Sequence, residues 1–560
     1  MLFPPDPSHL LSRIPLSART ILDVGCGRAT LAAAYRPLNP KARLLGIDVD
    51  PLMTAVAAAH LHQVATMDVE ADPLPFDVPD GIDCIIYDDI LEHLRDPWAM
   101  LHRHAEALSP EGVMLICVPN IDYWRLAERL LRGTWHDSED EEPHHRQLRW
   151  FNLDSMRENL LRAGLTLCDV VTRQPDGDQA AQFVAALAPG LLAMDIDPQE
   201  YAHRAAPSHL IWRVRKEPRQ RIILAGNMLA PVGGVSDVRV VYPMQAIATD
   251  PMVTAGVVER IDFGDGGDGN ARFFVLHRPT VFGDRGHALL QGLIRAGFLV
   301  VTEFDDLPER FEMMRMGGEL GFYGVHAIQT STLAMAGVLR QYNPEIAVFP
   351  NAVRSLPAVR NFADPRALTL FFGALNREHD WLPLMPALNA VAKMAGDRLR
   401  FQIVHDQSFF EALESPHKTF TPTCDYDTYL HILGGCEISF MPLSDTPFNR
   451  AKSDLKFIEA ASCRVATLAS SVVYANSVEN GHTGLLFRDP VQFHSGLLRL
   501  MAMPESAREM ADTARRYVID NRMLAYQVAP RIAWYRSLWA RRDALNMARH
   551  ERMQRNRVAA

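Results

Sequence analysis

Short apolar runs alternate with helix-like amphipathic segments along most of the chain. Between residues 20 and 118 these runs are TILDVG, ARLLGIDV, DCIIYDDI and VMLICVP. Apolar runs of strand length separated by helical patterns are typical of βαβ units, so this part of the chain predicts a parallel sheet. Two later runs, LTLCDVVT at 165–172 and HLIWRVRK at 209–216, are expected to close the same sheet as antiparallel edge strands.

The alternation restarts twice, which predicts three successive α/β units. The charged, proline-containing junction KEPRQ at 216–220 precedes the runs RIILAGNM, ARFFVLH, GFLVVTEF, HAIQTS and IAVFP. A second polar, proline-rich boundary at 351–365 precedes LTLFFGAL, FQIVHD, ISFMPL and VATLAS. After residue 506 the chain is helical in pattern and basic. That end is either a helix folded over the body with a solvated tail or a surface that meets anionic lipid.

Length, net charge and cysteine spacing narrow the classes of protein to which the chain can belong. A chain of 560 residues exceeds what one hydrophobic core supports, and a net charge of −10 argues against a nucleic-acid binder. The cysteines are scattered without a CxxC pair, so the sequence suggests neither a zinc knuckle nor a disulfide framework, and it favours a reducing cytoplasm. No window reaches the ~18 apolar residues of a membrane span, and the start MLFPPDPSHLL lacks a basic signal-peptide region. Membrane contact is therefore expected to be peripheral.

The first predicted strand runs into a glycine turn, ILDVGCGRATL at 21–31. Gly25 and Gly27 begin the dinucleotide pattern G-x-G-x-x-G, but its third glycine is missing. Asp23 at the strand end would repel a pyrophosphate, whereas it suits the ammonium group of S-adenosylmethionine.

Two downstream acids fit the same ligand. Asp48 ends the next predicted strand, where a carboxylate can accept both ribose hydroxyls. Asp68 follows a third short run and is placed to meet an adenine edge. Together with Asp23 and the two glycines, these acids predict an S-adenosylmethionine site.

Residues 20–165 resemble the class I S-adenosylmethionine-dependent methyltransferases that act on small molecules. The resemblance rests on DVGCGRA, GIDVD, MDVEADPLPF, DDILEHLRDPWAML, LSPEGVMLICVPN and LRWFN. It implies that the glycine turn and Asp23 bind the methionine part, Asp48 the ribose and Asp68 the adenine. Two positions depart from the family pattern: Ala29, a mild change, and Gln147, which stands where close relatives carry a histidine.

Methyl transfer to a hydroxyl requires a base as well as alignment. His93 in LEHL and His145, just upstream of Gln147, are the candidates. A histidine that only lines the cofactor pocket is the alternative for His93. The acidic run at 136–145 either holds a divalent cation or forms a solvated loop, and the solvated loop is favoured, so no metal site is predicted.

The second half of the chain carries a different set of charges. Gly233 and Gly234 follow the first strand of the second unit, where backbone amides can approach a ligand. Lys452 and Lys456 recur at i, i+4, so both could share one helix face, and Glu459 follows. Cations for a diphosphate and a carboxylate for ribose suit a nucleotide-sugar. A surface amphipathic helix explains the spacing equally well.

These residues resemble GT-B glycosyltransferases of the glycosyltransferase group 1 type. The matching pieces are GGVSDVR, HAIQTSTLAMAGVL, VFPNAV, FFGALNREHDW and KSDLKFIEAASCRVATLASSVVYANSVENGHTGLLF. The resemblance implies two Rossmann-like halves and no metal, with Glu459 on the donor ribose and Arg377, Lys452 and Lys456 around the diphosphate. The family often carries a second glutamate where this chain has Ala451.

The first of these two halves normally faces the acceptor in that family. It contains His326 and the acidic segment EFDD at 303–306. Asp305 or Asp306 is a candidate contact for acceptor hydroxyls, with helix capping or packing as the favoured alternative.

The sequence thus predicts an α/β protein with a Rossmann-like methyltransferase sheet followed by a GT-B pair of Rossmann-like domains. It indicates a bifunctional cytoplasmic enzyme of glycan assembly that uses S-adenosylmethionine and a nucleotide-sugar on a glycan or glycolipid acceptor, without nucleic acid. In the alternative, one half is inactive and serves as a binding scaffold. The expected divisions are a methyltransferase at 1–217, an acceptor-side domain at 221–355, a donor domain at 366–545 and a basic tail at 546–560.

Overall fold

The computed structural model describes residues 10–134, 147–173, 177–228, 233–258, 269–310, 317, 319–360 and 366–559. Within these residues the strands form three sheets, each flanked by helices.

The first sheet is built from the first seven strands of the chain. These are β1 (Thr20–Val24), β2 (Arg43–Asp48), β3 (Gln63–Thr66), β4 (Ile82–Asp88), β5 (Leu108–Pro119), β6 (Thr166–Arg173) and β7 (His209–Arg215). Its helices are α1 (Thr30–Tyr35), α2 (Pro51–Ala57), α3 (Pro97–Glu106), α4 (Trp124–Arg132), α5 (Leu153–Arg162), α6 (Gly177–Ala193) and α7 (Pro198–Ala205). The strand order is β3-β2-β1-β4-β5-β7-β6.

The two late runs both join this sheet, as predicted, but only β6 lies at its edge. β7 lies between β5 and β6 and pairs antiparallel with each of them, so β6 points in the same direction as the parallel strands. β7 is buried along its whole length, which explains its position inside the sheet.

The second sheet is parallel throughout its described pairs. Its strands are β8 (Ile222–Met228), β9 (Val253–Val257), β10 (Ala271–His277), β11 (Leu299–Glu303), β12 (Ala327–Thr330) and β13 (Ile346–Val348). Its helices are α8 (Tyr242–Ile247), α9 (Gly283–Arg295), α10 (Leu320–Tyr323) and α11 (Leu333–Leu339), and a π-helical turn, Asp237–Val241, precedes α8. The order is β13-β12-β11-β10-β8-β9.

The third sheet is also parallel. Its strands are β14 (Leu368–Gly373), β15 (Leu399–Val404), β16 (Lys418–Thr421), β17 (Ile438–Met441), β18 (Ala466–Ser470) and β19 (Leu485–Phe487). The helices are α12 (Glu378–Trp381), α13 (Met385–Ala395), α14 (Gln407–Ala412), α15 (Tyr426–Leu433), α16 (Pro447–Arg450), α17 (Leu455–Ser462), α18 (Ser471–Tyr474), α19 (Pro490–Ala502) and α20 (Pro504–Asn521). The order is β16-β15-β14-β17-β18-β19.

Two final helices, α21 (Ala525–Ala540) and α22 (Arg542–Ala559), return to the second sheet. The Tyr535 hydroxyl on α21 donates to Gln329 on β12 at 2.9 Å. Arg552 on α22 donates to backbone carbonyls at the end of α10. Residues 546–559, which the sequence predicted as a tail, therefore belong to helix α22, which contacts the second unit through Arg552. No helix in the described part of the chain is long and apolar enough to cross a bilayer.

The first and second sheets share one continuous apolar core. Tyr35 and Leu38 beside α1 belong to the same buried cluster as Ile222 and Phe273 of the second sheet and Val528 on α21. The first unit is therefore fixed to the second by a common hydrophobic core.

Polar contacts cross the same boundary. The buried Arg213 on β7 donates to both Asp169 on β6 and the Thr249 carbonyl after α8. The Leu16 N–H donates to the Thr249 hydroxyl at 2.8 Å.

Candidate functional site

The strand order of the first sheet reverses between β1 and β4. At such a reversal, the connections that follow the two neighbouring strands leave to opposite sides of the sheet. A crevice therefore opens at the carboxyl ends of these strands. The glycine turn after β1 and the acidic pair Asp88–Asp89 after β4 both reach this crevice.

The turn after β1 requires glycine. Gly25 and Gly27 have φ values of 77° and 50°, in the left-handed region. The Gly25 N–H donates to the Ile47 carbonyl at 2.8 Å, which holds the turn against the end of β2. A Cβ atom on Gly25 would lie 2.0 Å from the tip of the Ile90 side chain.

Asp48 joins this turn to β2. One carboxylate oxygen accepts the Gly27 N–H at 2.8 Å and the other accepts the Asp50 N–H at 2.9 Å. The structure thus brings Asp48 and the turn together, as the sequence predicted for one ligand. Asp68 is exposed on the loop after β3, at the same edge of the sheet, and accepts the Glu70 N–H.

Asp23 is the most perturbed acid of the crevice. Burial, followed by the nearby carboxylates of Asp88 and Asp48, raises its pKa to about 7. Crowded carboxylates of this kind attract a cationic group that relieves their repulsion, which fits an ammonium ligand.

Of the two predicted bases, His93 and His145, the structure describes only His93. His93 lies in the short 3-10 turn Leu91–His93, and its side chain is 40% exposed. The backbone carbonyl of its neighbour Glu92 accepts the Leu148 and Arg149 N–H groups. This places His93 beside the segment that contains Gln147. His145, His144 and the rest of the acidic run lie outside the described residues.

Sequence reasoning missed a second polar group at this edge. Ligand atoms of Asp88, Asp89 and Cys117 lie within 4.8 Å of one another, and His209 Nε2 is 3.6 Å from Asp89 Oδ1. Burial, followed by the charge of Asp89, raises the pKa of the Cys117 thiol far above its usual value. These two carboxylates, the thiol and the imidazole are suited to contact a cation or a polar substrate at this edge of the sheet.

A second candidate site is the cleft between the second and third sheets, with a volume of ≈ 490 Å³. Each sheet has its own point of strand reversal, at β8/β10 and at β14/β17, so the carboxyl-end loops of both supply residues to the cleft. Its polar lining includes Gly233, Gly234, Arg239, Arg278, Asp305, Arg377, His405, Lys452, Lys456 and Glu459.

Helix α17 contributes a cation and a carboxylate to the cleft. The Lys456 ammonium donates to the Gly373 carbonyl and lies 5.6 Å from the Tyr429 ring centroid. Glu459 accepts the Tyr426 hydroxyl at 2.6 Å. Burial lowers the pKa of Lys456 and raises that of Glu459, so an anion beside Lys456 and hydroxyl donors beside Glu459 would favour their charged forms.

The prediction that Lys452 and Lys456 share a helix face is wrong. α16 ends at Arg450 and α17 begins at Leu455, so Lys452 lies in the loop between them. Asp454 ends this loop, and its carboxylate accepts from the Arg522 guanidinium. Lys452 still lines the cleft, where its ammonium is 3.1 Å from Asp306. Ala451 packs into the apolar cluster of the second sheet.

The remaining predicted residues also border the cleft. Arg377 donates to Asp380 at 3.1 Å and to Asn449 at 2.9 Å, which fixes its guanidinium beside α16. Gly234 has φ 74°, and its N–H donates to Asp237 at 3.2 Å. A Cβ atom there would lie 3.5 Å from the Tyr426 ring, across the cleft.

The second sheet contributes ion pairs that the sequence did not reveal. Buried Arg239 pairs with Glu303 at 2.9 Å, and Arg278 donates to Asp305 at 2.7 Å. Burial opposes ionisation of Asp305, but the Arg278 guanidinium outweighs it and lowers the pKa of that carboxyl. Burial also lowers the pKa of His277, at the end of β10, to about 4.

His326 has a structural role instead. Its ring accepts the Val300 N–H at 2.8 Å and contacts Asn546 on α22 at 3.0 Å. Asp305 lines the cleft and is held by Arg278, and Asp306 pairs with the cleft residue Lys452.

The comparison with known protein families gives a match in the region that contains the first sheet. Residues 4–170 match a family model described as a methyltransferase domain. The N-terminal part of the chain is a methyltransferase domain.

The curated relatives match a short stretch of the chain. Trans-aconitate 2-methyltransferase of Escherichia coli is 32% identical over 117 residues, which is 21% of this chain and 45% of that protein. The Escherichia fergusonii enzyme is 33% identical over the same length. The chain therefore spans less than half the length of these relatives.

Solved structures resemble both parts of the chain distantly. A putative S-adenosylmethionine dependent methyltransferase from Listeria monocytogenes has a TM-score of 0.26 at 16% identity, covering 38% of this chain and 98% of its own. TarM has a TM-score of 0.38 at 11% identity, covering 47% of this chain and 54% of its own. Likenesses this low do not bear on activity. The predicted α/β architecture is confirmed: a Rossmann-like sheet in the region that matches the methyltransferase family model is followed by two further parallel sheets with flanking helices.

Proposed function

We propose that the chain is a bifunctional enzyme of glycan assembly. Residues 1–217 transfer a methyl group to a sugar hydroxyl, and residues 221–355 and 366–545 transfer a glycosyl group from a nucleotide-sugar. The supporting observation is one chain that carries an acidic, cation-attracting crevice in a methyltransferase domain and a cation-lined cleft between two further sheets. The basic α22 and the cysteine usage fit work in the cytoplasm on a glycan or glycolipid acceptor.

In the methyl-transfer half, S-adenosylmethionine supplies an activated methyl group when bound. Asp23 binds the cofactor's ammonium group, Asp48 accepts the ribose hydroxyls and Asp68 accepts from the adenine edge. His93 would take the proton of the acceptor hydroxyl as that oxygen bonds to the methyl carbon and the methyl–sulfur bond breaks, with S-adenosylhomocysteine as the leaving group. His145 is the second candidate for this step.

In the glycosyl-transfer half, leaving-group stabilisation dominates the chemistry. Lys456, Lys452 and Arg377 surround the space for a diphosphate, and Glu459 accepts the ribose hydroxyls. The glycosyl bond to phosphate breaks, the acceptor oxygen takes the anomeric carbon, and the charge of the departing diphosphate rests on these cations.

The specific observation that favours a second candidate function is Ala451. It stands where related enzymes often carry a glutamate, and here it is buried among apolar side chains. In this alternative the cleft binds a nucleotide-sugar or glycan without turning it over and serves as a scaffold for methyl transfer.

A product analysis tests the proposal. A lysate-derived glycan pool incubated with the chain, S-adenosylmethionine and a panel of nucleotide-sugars should yield products carrying both a new methyl and a new glycosyl group, detected by mass spectrometry. Methylated products without new glycosyl groups would favour the scaffold. Absence of methylated glycans, with methylated protein or lipid instead, would contradict the glycan assignment.

Replacing Glu459 with glutamine should raise the KM for the nucleotide-sugar about 10- to 100-fold, because a neutral amide cannot accept two ribose hydroxyls as a carboxylate does. Steady-state kinetics with varied donor measures the effect. Glu411→Gln, on an exposed helix of the same unit, should leave the KM unchanged. An unchanged KM in Glu459→Gln would remove Glu459 from the donor site.

A further inference from the structure

The two halves of the GT-B pair are joined by two chain crossings that lie side by side. The outgoing crossing follows β13, and the returning crossing connects α20 to α21. Val353 in the first pairs with Met523 in the second, through Val353 N–H to the Arg522 carbonyl and Leu524 N–H to the Val353 carbonyl, each 2.8 Å. Opening or closing of the cleft has to bend the chain at this paired hinge.

The methyltransferase domain rests on this hinge. In the loop after α1, the Pro37 carbonyl accepts the Leu356 N–H of the outgoing crossing at 2.8 Å. Lys41 donates to the Asp520 carbonyl in the last turn of α20 at 2.5 Å and lies 5.1 Å from the ring centroid of Tyr526 on α21. One loop of the first domain therefore touches the outgoing crossing and the two helices that flank the returning crossing.

The opposite end of α1 is the cofactor turn. Gly27, which donates to Asp48, lies just before the helix, and Pro37 lies just after it. The six residues of α1 span about 9 Å, so a rigid helical segment separates the cofactor turn from the hinge contacts.

The returning crossing is in turn bonded to the donor helix. Arg522 donates to Asp454, at the start of α17, at 2.8 Å and to the Asn351 carbonyl of the outgoing crossing at 2.9 Å. α17 carries Lys456 and Glu459 in the cleft. Continuous contacts thus run from the cofactor turn through α1 and the hinge to the donor site.

We propose that the methyltransferase domain couples occupancy of its cofactor site to closure of the glycosyltransferase cleft. This inference rests on the proposed function, because it needs both ligands to bind. In this proposal the hinge has an open and a closed arrangement, and ligands at both sites shift the balance between them. When either ligand orders α1 and the loop that follows it, the other ligand loses less conformational entropy on binding. The coupling is therefore positive.

Coupling is measured as the change in one ligand's affinity caused by the other. S-adenosylhomocysteine is titrated calorimetrically with and without a saturating nucleoside diphosphate, chosen from UDP, GDP and ADP by its own binding to the chain. The diphosphate should tighten S-adenosylhomocysteine binding about fivefold or more, and the reciprocal titration should give the same factor.

Lys41→Glu tests the route, since it places an acid against the Asp520 carbonyl. It should reduce the coupling factor at least twofold while each ligand alone keeps its affinity. The matched control is Arg36→Glu, in the same loop, because within the described residues the Arg36 side chain donates to the His60 carbonyl of its own domain. This variant should leave the coupling factor unchanged.

The outcomes separate the two proposals. Two ligands that bind singly with a coupling factor of one in the unaltered chain would overturn the coupling alone. Failure of either ligand to bind by itself would overturn the proposed function, and the coupling with it. Equal losses in Lys41→Glu and Arg36→Glu would overturn the route through Lys41.

Discussion

Replacing Lys456 with methionine should lower glycosyl transfer by about 100-fold or more, because the substitution removes a buried cation from the position where the leaving diphosphate gains charge. Its ammonium lies in the cleft, on the Gly373 carbonyl. Methionine keeps the length of the side chain, and burial already disfavours the charged form of Lys456, so the fold should persist. Release of the nucleoside diphosphate from the sugar donor measures the rate.

Lys393→Met is the matched control for this experiment. Lys393 is exposed on α13 of the same unit, so its variant should keep the full rate. Methyl transfer should be unaffected in both variants. A Lys456→Met enzyme within a few fold of the unaltered rate would show that the leaving group is stabilised elsewhere.

Replacing Asp23 with asparagine should weaken S-adenosylhomocysteine binding about 100-fold at pH 8, because the cofactor's ammonium loses its buried counter-charge. The unaltered chain should lose affinity as the pH falls below 7, roughly tenfold per unit, since the pKa of Asp23 is about 7 without ligand. Asp23→Asn should lack this pH dependence. Calorimetric titrations from about pH 5.5 to about pH 8.5 bracket the pKa of Asp23 and therefore the expected loss of affinity.

The same substitution should stabilise the unliganded protein at high pH. The pKa of Asp23 is raised from 3.8 to about 7 by burial, so its contribution to stability is complete below the unfolded value and is lost as the pH rises through the folded value. Asparagine avoids that cost, about 2–4 kcal/mol at pH 8. Thermal unfolding at pH 8 checks the direction, and exposed Asp80→Asn is the control. A lower midpoint for Asp23→Asn than for the control would contradict the account.

The inner strands of all three sheets could be predicted from apolar runs because they are buried on both faces. β9, β16 and β19 were not predicted. They are short and lie at sheet edges, where one side lacks a strand neighbour and the apolar signal is weak. The reversed direction of β7 relative to β6 depends on which strand enters the middle of the sheet, which local patterns do not encode.

Candidate site residues at strand ends were the most predictable. Asp23, Asp48 and the Gly233–Gly234 pair follow predicted strands, and parallel strands bring such ends to one edge. His209 was missed because the reversal of β7 brings the first residue of that strand to this edge. The prediction that Lys452 and Lys456 share a helix face was wrong because spacing alone could not reveal that the helix begins at Leu455, three residues after Lys452.

The buried ion pairs were the part of the structure that was hardest to predict from the sequence. Arg239 lies in the segment DVRVV, whose pattern is typical of an amphipathic helix. Its guanidinium instead pairs with Glu303, which lies 64 residues away on a strand of the second sheet. The contact between the α1 loop and the GT-B hinge likewise joins residues that are distant in sequence.

The central claim is that one chain carries two separate ligand sites, one at the first sheet and one in the cleft. Its most direct test is calorimetric titration of the unaltered chain, Asp23→Asn and Lys456→Met with S-adenosylhomocysteine and with the nucleoside diphosphate. The account predicts that the unaltered chain binds both ligands, Asp23→Asn loses only the first and Lys456→Met loses only the second. Retention of both ligands by both variants, or loss of both ligands by one correctly folded variant, would contradict it.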